Sequence, residues 1–282
     1  MEAGGGCGYR PGMSPSVSTL HEFIAAIDAF PGGHALAVDW SPGARRAAQR
    51  SLDRHGLCLL GEVHGVAENP LIVERLVGEL GIAVVALEWP RGLERAVDDP
   101  GWLGVAPPTL DRRLDAATER QLAAGIAWCG DGRVTAGHFA VLRRIPACVV
   151  AVDEPLGPAT AGERDAAMAG AVERLLGSAG QRVLFVAGNG HTCLREHGHY
   201  RPAGMHLARA RPALCTVDVH YGGGRFWNCG SRACPSVPPP PGPYLHLAEA
   251  REAVVLDAAA ALPPGGQAPL GPRAPGRRPS SV

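Results

Sequence analysis

The feature that most constrains this chain is a recurrence of short apolar runs that stop at glycine or at an ionisable side chain. Leu57-Cys58-Leu59-Leu60 runs into Gly61-Glu62-Val63-His64-Gly65, and Ile82 to Leu87 ends on Glu88. Ala147 to Val152 ends on Asp153, and Arg182 to Ala187 runs into Gly188-Asn189-Gly190-His191. Such runs are too short for helices and too continuously apolar for half-exposed strands, so they read as strands covered on both faces. Between them, Leu71, Val73, Leu76, Val77 and Leu80 follow Asn69-Pro70, and Ala161 to Leu176 forms a second helical stretch. This alternation predicts an α/β fold: a mostly parallel sheet with helices on both faces and right-handed crossovers. Ligands of such sheets bind at the carboxyl ends of the strands, which places Glu62, His64, Glu88, Asp153 and His191 on one rim.

The flanking segments complete one domain over residues 19–262. A short helix is predicted between Thr19 and Phe30, a strand over Ala35–Asp39, and further strands over Ala213–His220 and Glu252–Asp257 that extend the sheet. Residues 91–110 read as irregular, followed by helices near Leu114–Trp128 and over 135–144. The glycines and prolines of Tyr221–Pro243 predict a long loop. Residues 1–18 and 263–282 have the Gly/Pro/Ser- and Pro/Gly/Arg-rich make-up of segments without a fold.

Composition removes several classes of function. The formal charge is zero and no basic face stands out, which argues against a nucleic-acid partner. The chain has no lysine, so Schiff-base chemistry and a Walker-type phosphate lysine are excluded. No run of about twenty apolar residues is present to span a bilayer. The eight cysteines are scattered, with Cys58, Cys148 and Cys215 inside strand-like runs, which points to buried thiols in a reducing, cytoplasmic setting. Cys229 and Cys234 lack the second pair that a zinc site of that spacing would have. No Gly-x-Ser-x-Gly turn follows a strand, which disfavours a serine nucleophile.

The chemistry sits in two Gly-x-x-His turns, Gly61-Glu62-Val63-His64 and Gly188-Asn189-Gly190-His191, after separate strands. Glycine lets the backbone approach a ligand, and each imidazole titrates near neutral pH or ligates a metal. These turns resemble those of the superfamily of erythromycin esterases, ChaN-type haem-binding proteins and TraB/Tiki proteins. So do Ala86-Leu87-Glu88 and Arg164-Asp165-Ala166-Ala167-Met168-Ala169, and the likeness spans roughly Leu57 to Thr192. The resemblance implies His64 as the base that activates water or as a metal ligand, and Glu88 as the carboxylate those enzymes need. It implies His191 as the second-motif histidine, Glu62 as the acid beside the first, and Arg164 with Asp165 as a charged pair at the rim. An ordinary capping role for Asp165 carries equal weight.

The catalytic group is therefore Glu62, His64, Glu88 and His191, with Asp153, Arg164 and Asn189 facing substrate and His64 with His191 as a metal pair. The expected function is hydrolysis of an ester or amide, and the alternative is haem binding at the same rim, in the manner of an uptake protein. A divalent metal or haem is the open cofactor. Haem needs an axial Tyr or His, for which Tyr200, His197, His199 and Tyr221 are present. His197-Gly198-His199 otherwise reads as a solvated loop, and His138 as a capping or surface residue. The partner is a small-molecule or peptide substrate, with a homodimer left open.

Overall fold

The computed structural model describes residues 16–17, 20–31, 36–91, 93, 132–153, 160–177, 180–196, 200–228, 231–234, 239–240 and 242–256. The helix expected over 114–128, the irregular stretch from 94 onward, the 263–282 tail, His197 and His199 lie outside them. The strands are β1 Ser16–Val17, β2 Val38–Trp40, β3 Leu57–Glu62, β4 Val84–Pro90, β5 Cys148–Asp153, β6 Val183–Gly188, β7 Thr216–Tyr221, β8 Arg225–Trp227, β9 Ser231–Ala233, β10 Tyr244–Leu247 and β11 Val255–Leu256. The helices are α1 Leu20–Asp28, α2 Ala44–His55, α3 Asn69–Leu80, α4 Ala136–Leu142, α5 Ala161–Leu175, α6 Asn189–Thr192 and α7 Ala203–Ala208.

Seven strands form one sheet in the order β2-β10-β7-β3-β6-β4-β5. All its pairings are parallel except that of β2 with β10, so the fold is α/β with a mostly parallel sheet. Strand alternation sorts the apolar side chains into two layers. Cys58, Leu60, Val85, Leu87, Leu184 and Val186 pack on one face with Phe23 of α1, Leu52 of α2, Leu76 of α3 and Phe139 of α4. Leu57, Leu59, Val84, Ala86, Val183 and Phe185 pack on the other with Met168 and Val172 of α5 and Leu207 of α7. Both layers are buried, which explains why these strands read as unbroken apolar runs rather than as an alternating pattern.

Several sequence-based expectations need correction. The 252–257 stretch does not extend the main sheet: β11 pairs in parallel with β1, which itself lies in the segment expected to lack a fold. The long loop 221–243 contains an antiparallel hairpin, β8 with β9. Helix α2, helix α7 and strand β10 went unpredicted. α2 has the make-up of a surface helix, with four buried residues among many arginines, so its apolar signal is weak. β10 is four residues long and follows prolines. Cys148 is exposed, whereas Cys58 and Cys215 are buried as expected.

One glycine after β3 fixes how the site-bearing loops meet. Gly65 has φ 78°. Its N–H donates to the Gly132 carbonyl at 2.9 Å, and its own carbonyl accepts from Trp227 N at 3.0 Å and Ala253 N at 2.9 Å. A Cβ here would enter the Trp227 carbonyl and carry a disfavoured φ. Gly65→Ala is expected to destabilise the protein by about 2 kcal/mol or more, read as a lower urea midpoint at unchanged slope. An unchanged midpoint would mean that the three-way junction does not hold the loops.

Candidate active site

Strand direction brings the rim residues together. β3, β4, β5 and β6 run parallel and end side by side, delivering Glu62, Glu88, Asp153 and Gly188 to one edge. His64 follows β3 and lies between two buried carboxylates: Nδ1 is 3.3 Å from Glu62 Oε1 and Nε2 is 3.4 Å from Glu88 Oε2. Gly188 sits where it does because a Cβ there would come within 3.0 Å of His64 Nε2, and its N–H donates to Glu88 Oε2 at 2.8 Å.

Glu88 is the hub. Its Oε1 accepts from Arg164 Nη2 at 2.5 Å, with Arg133 Nη1 at 3.0 Å and His191 Nε2 at 3.3 Å. Arg164 is fixed by Asp153, whose side chain is fully buried and receives Nε at 2.9 Å and Nη2 at 2.7 Å. His191 is fixed by Asp165, whose Oδ1 lies 2.8 Å from Nδ1 and accepts from Ala203 N at 2.8 Å. Asp165 does not cap its helix. Thr160 does, in a capping box with Glu163, so the capping reading of Asp165 is set aside.

The charges tune one another. Burial pulls the His64 imidazole down, but Glu88 and Glu62 outweigh it and push it up to about 9. Burial pushes the Glu88 carboxyl up, yet His64, Arg133 and His191 hold it well below the usual carboxylate range. His64 is therefore an imidazolium at neutral pH. Because its pKa is raised on folding, its contribution to stability is complete below about pH 6.5 and is lost as pH rises through about 9. A loss on the order of 3 kcal/mol across that window is expected in urea titrations at pH 6 and 10. The same scan on His64→Gln is expected to lose much less.

Sequence reasoning had placed Glu62, His64, Glu88, Asp153, Arg164 and His191 at the rim, and they occupy one network. Asn189 lies apart from it. Its Oδ1 is 2.9 Å from where a Cβ of Gly61 would stand, beside Thr192 and Asp218. Asp153 is fully buried and meets the network through Arg164 at 2.7 Å and Arg133 at 3.8 Å. Two further members were missed. Arg133 had been read as part of a turn. His138 had been read as a surface or capping residue, but it is 2% exposed, lies with its ring edge-on to Trp89 at 5.7 Å, and has Nδ1 2.9 Å from Thr135 Oγ1. Burial pushes it down to about 4, so it is neutral. Thr135 three residues before it, an N-cap type at a helix start, was the available signal for its place.

The donor set does not suit a divalent metal. Glu88 gives both oxygens to guanidinium or backbone donors, and Arg164 Nη1 stands 3.3 Å from His191 Nε2, so a guanidinium already faces the ring nitrogen and carboxylate a metal would need. Among the described residues no three His, Cys, Asp or Glu side chains gather as metal ligands. For haem, Tyr221 is committed elsewhere: its hydroxyl donates to Asn69 Oδ1 at 2.8 Å and accepts from Val63 N at 3.2 Å, in full burial. What the arrangement offers is proton transfer at His64 under two carboxylates, with guanidinium charge alongside to meet developing negative charge.

No protein-family model and no curated protein matches the chain. Two solved structures are similar to parts of it. One, described as "Crystal structure of bacterial protein toxins", has a TM-score of 0.39 at 15% identity and covers 71% of this chain. This chain spans only 39% of that one. The other, the type III effector HopBA1, has a TM-score of 0.37 at 14% identity, covering 69% of this chain and 92% of its own. Likenesses this distant carry no weight for function. No helix among the described residues is long and apolar enough to cross a membrane.

Proposed function

We propose that the protein is a hydrolase that activates water for attack on an ester or amide of a small molecule or peptide. The observation that carries this reading is His64 held by Glu62 and Glu88, at 3.3 and 3.4 Å, with Arg133 and Arg164 paired to Glu88 on its other oxygen. Glu62 orients the ring through Nδ1, and Nε2, 3.4 Å from Glu88 Oε2, is the atom that takes a proton from water once the ring is neutral. As the carbonyl oxygen gains charge, Arg133 and Arg164 provide the positive field around it. Glu88 and Asp153 keep those groups in place. The sequence resemblance to erythromycin esterases supports the same assignment.

A panel of chromogenic esters and amides tests it. The wild-type chain is expected to turn over at least one member, and Glu62→Gln and His64→Gln to lose that turnover while keeping the wild-type near-UV spectrum. Turnover that persists undiminished in both variants would remove the rim from the chemistry.

A further inference from the structure

The electrostatics of the molecule leave one region unaccounted for. Most described arginines meet a carboxylate: Arg75 with Glu79, Arg144 with Glu74, Arg182 with Asp53, Arg211 with Glu173 and Arg251 with Glu68. Arg50, Arg54 and Arg195 meet none among the described residues, yet all three line one cleft of about 470 Å³. Arg50 and Arg54 stand four apart on α2 and present like charges to the same side, an arrangement that costs a helix a few tenths of a kcal/mol. Arg195 comes from a different segment, just beyond α6, and Leu194 and Leu214 add apolar lining. Asp218 is the lone carboxylate among the lining residues, so the cleft is net positive in a chain whose total charge is zero.

Guanidinium groups gathered in excess over one carboxylate suit a multivalent oxyanion. Each offers a planar fork to two oxygens, and a phosphoryl group has enough oxygens and charge to engage more than one fork. The apolar lining adds room for a small hydrocarbon or ring portion. We propose that this cleft is a binding site for a phosphoryl group carried on a small molecule, held by Arg50, Arg54 and Arg195. The site is distinct from the His64 centre but shares a structural element with it. Asn189 and Cys193, which line the cleft, bracket His191, which reaches Glu88 and Asp165 on the rim. The proposal does not rest on the hydrolytic reading.

Equilibrium titration of the full chain with inorganic pyrophosphate, at constant ionic strength and with chloride as the balancing anion, tests it. Saturable binding at one site per chain is expected. Arg50→Gln/Arg54→Gln is expected to weaken it by about tenfold or more, and Arg195→Gln to weaken it as well. Because all three side chains are exposed, these variants should keep the wild-type melting temperature, and a far-UV melt verifies that. Arg50→Lys/Arg54→Lys, which keeps the charge and loses the forks, is expected to bind with intermediate strength. His64→Gln is expected to bind pyrophosphate as the wild type does, which separates this site from the catalytic proposal. Absence of saturable binding, or equal binding in wild type and Arg50→Gln/Arg54→Gln, overturns the assignment.

Discussion

His64→Ala is expected to lower turnover of a susceptible ester by about 10²- to 10⁴-fold, the range supplied by a positioned proton acceptor. The wild-type pH profile should carry the same message. His64 accepts a proton only as the neutral ring, and Glu88 and Glu62 hold its pKa at about 9. The neutral fraction therefore falls about tenfold for each pH unit below that value, so the rate should climb with unit slope from neutral pH and level off above about 9. Glu88→Gln removes the carboxylate that raises the His64 pKa most, which should move the rising limb to lower pH even as it reduces the plateau. A merely structural histidine would not shift the limb in this way. A flat profile between pH 6 and 10 would take His64 out of the proton-transfer role.

Arg164→Met is expected to cost about 3–5 kcal/mol of stability, because it leaves the fully buried Asp153 only the Arg133 guanidinium at 3.8 Å and takes a partner from Glu88. The side chain is nearly matched in volume, so the loss reports charge rather than a cavity. Removing both partners should be milder. Arg164→Met/Asp153→Leu leaves no buried carboxylate at that position and should recover a large part of the loss, while Glu88 keeps Arg133, His64 and the Gly188 N–H. Urea midpoints of wild type, both single variants and the double variant close the cycle. Additive effects would mean that the Arg164–Asp153 pair is not a coupled unit.

The strands that carry the rim were legible because burial on both faces writes itself into sequence as unbroken apolar runs. Leu57–Leu60, Val84–Leu87 and Val183–Ala187 are in that class, and each forms a strand of the main sheet. Their ionisable terminal residues stood out against those runs. Elements held by context left no comparable mark. β10 is too short to show a period, and β1 with β11 are two residues each and pair with one another from opposite ends of the described chain.

The sequence by itself determined that four strand ends would present Glu62, Glu88, Asp153 and the turn leading to His191 on one side, since strand direction follows from the βαβ alternation. Only the tertiary structure decided which charge meets which. Arg133 and Arg164 enter from segments remote from Glu88, and Asp165 serves His191 rather than its own helix. The physical reason is range. Periodicity and capping act over a few neighbours, whereas ion pairing and burial depend on distances in space that no local pattern encodes. The raised pKa of His64 belongs to this second kind, because two carboxylates from different strands create it.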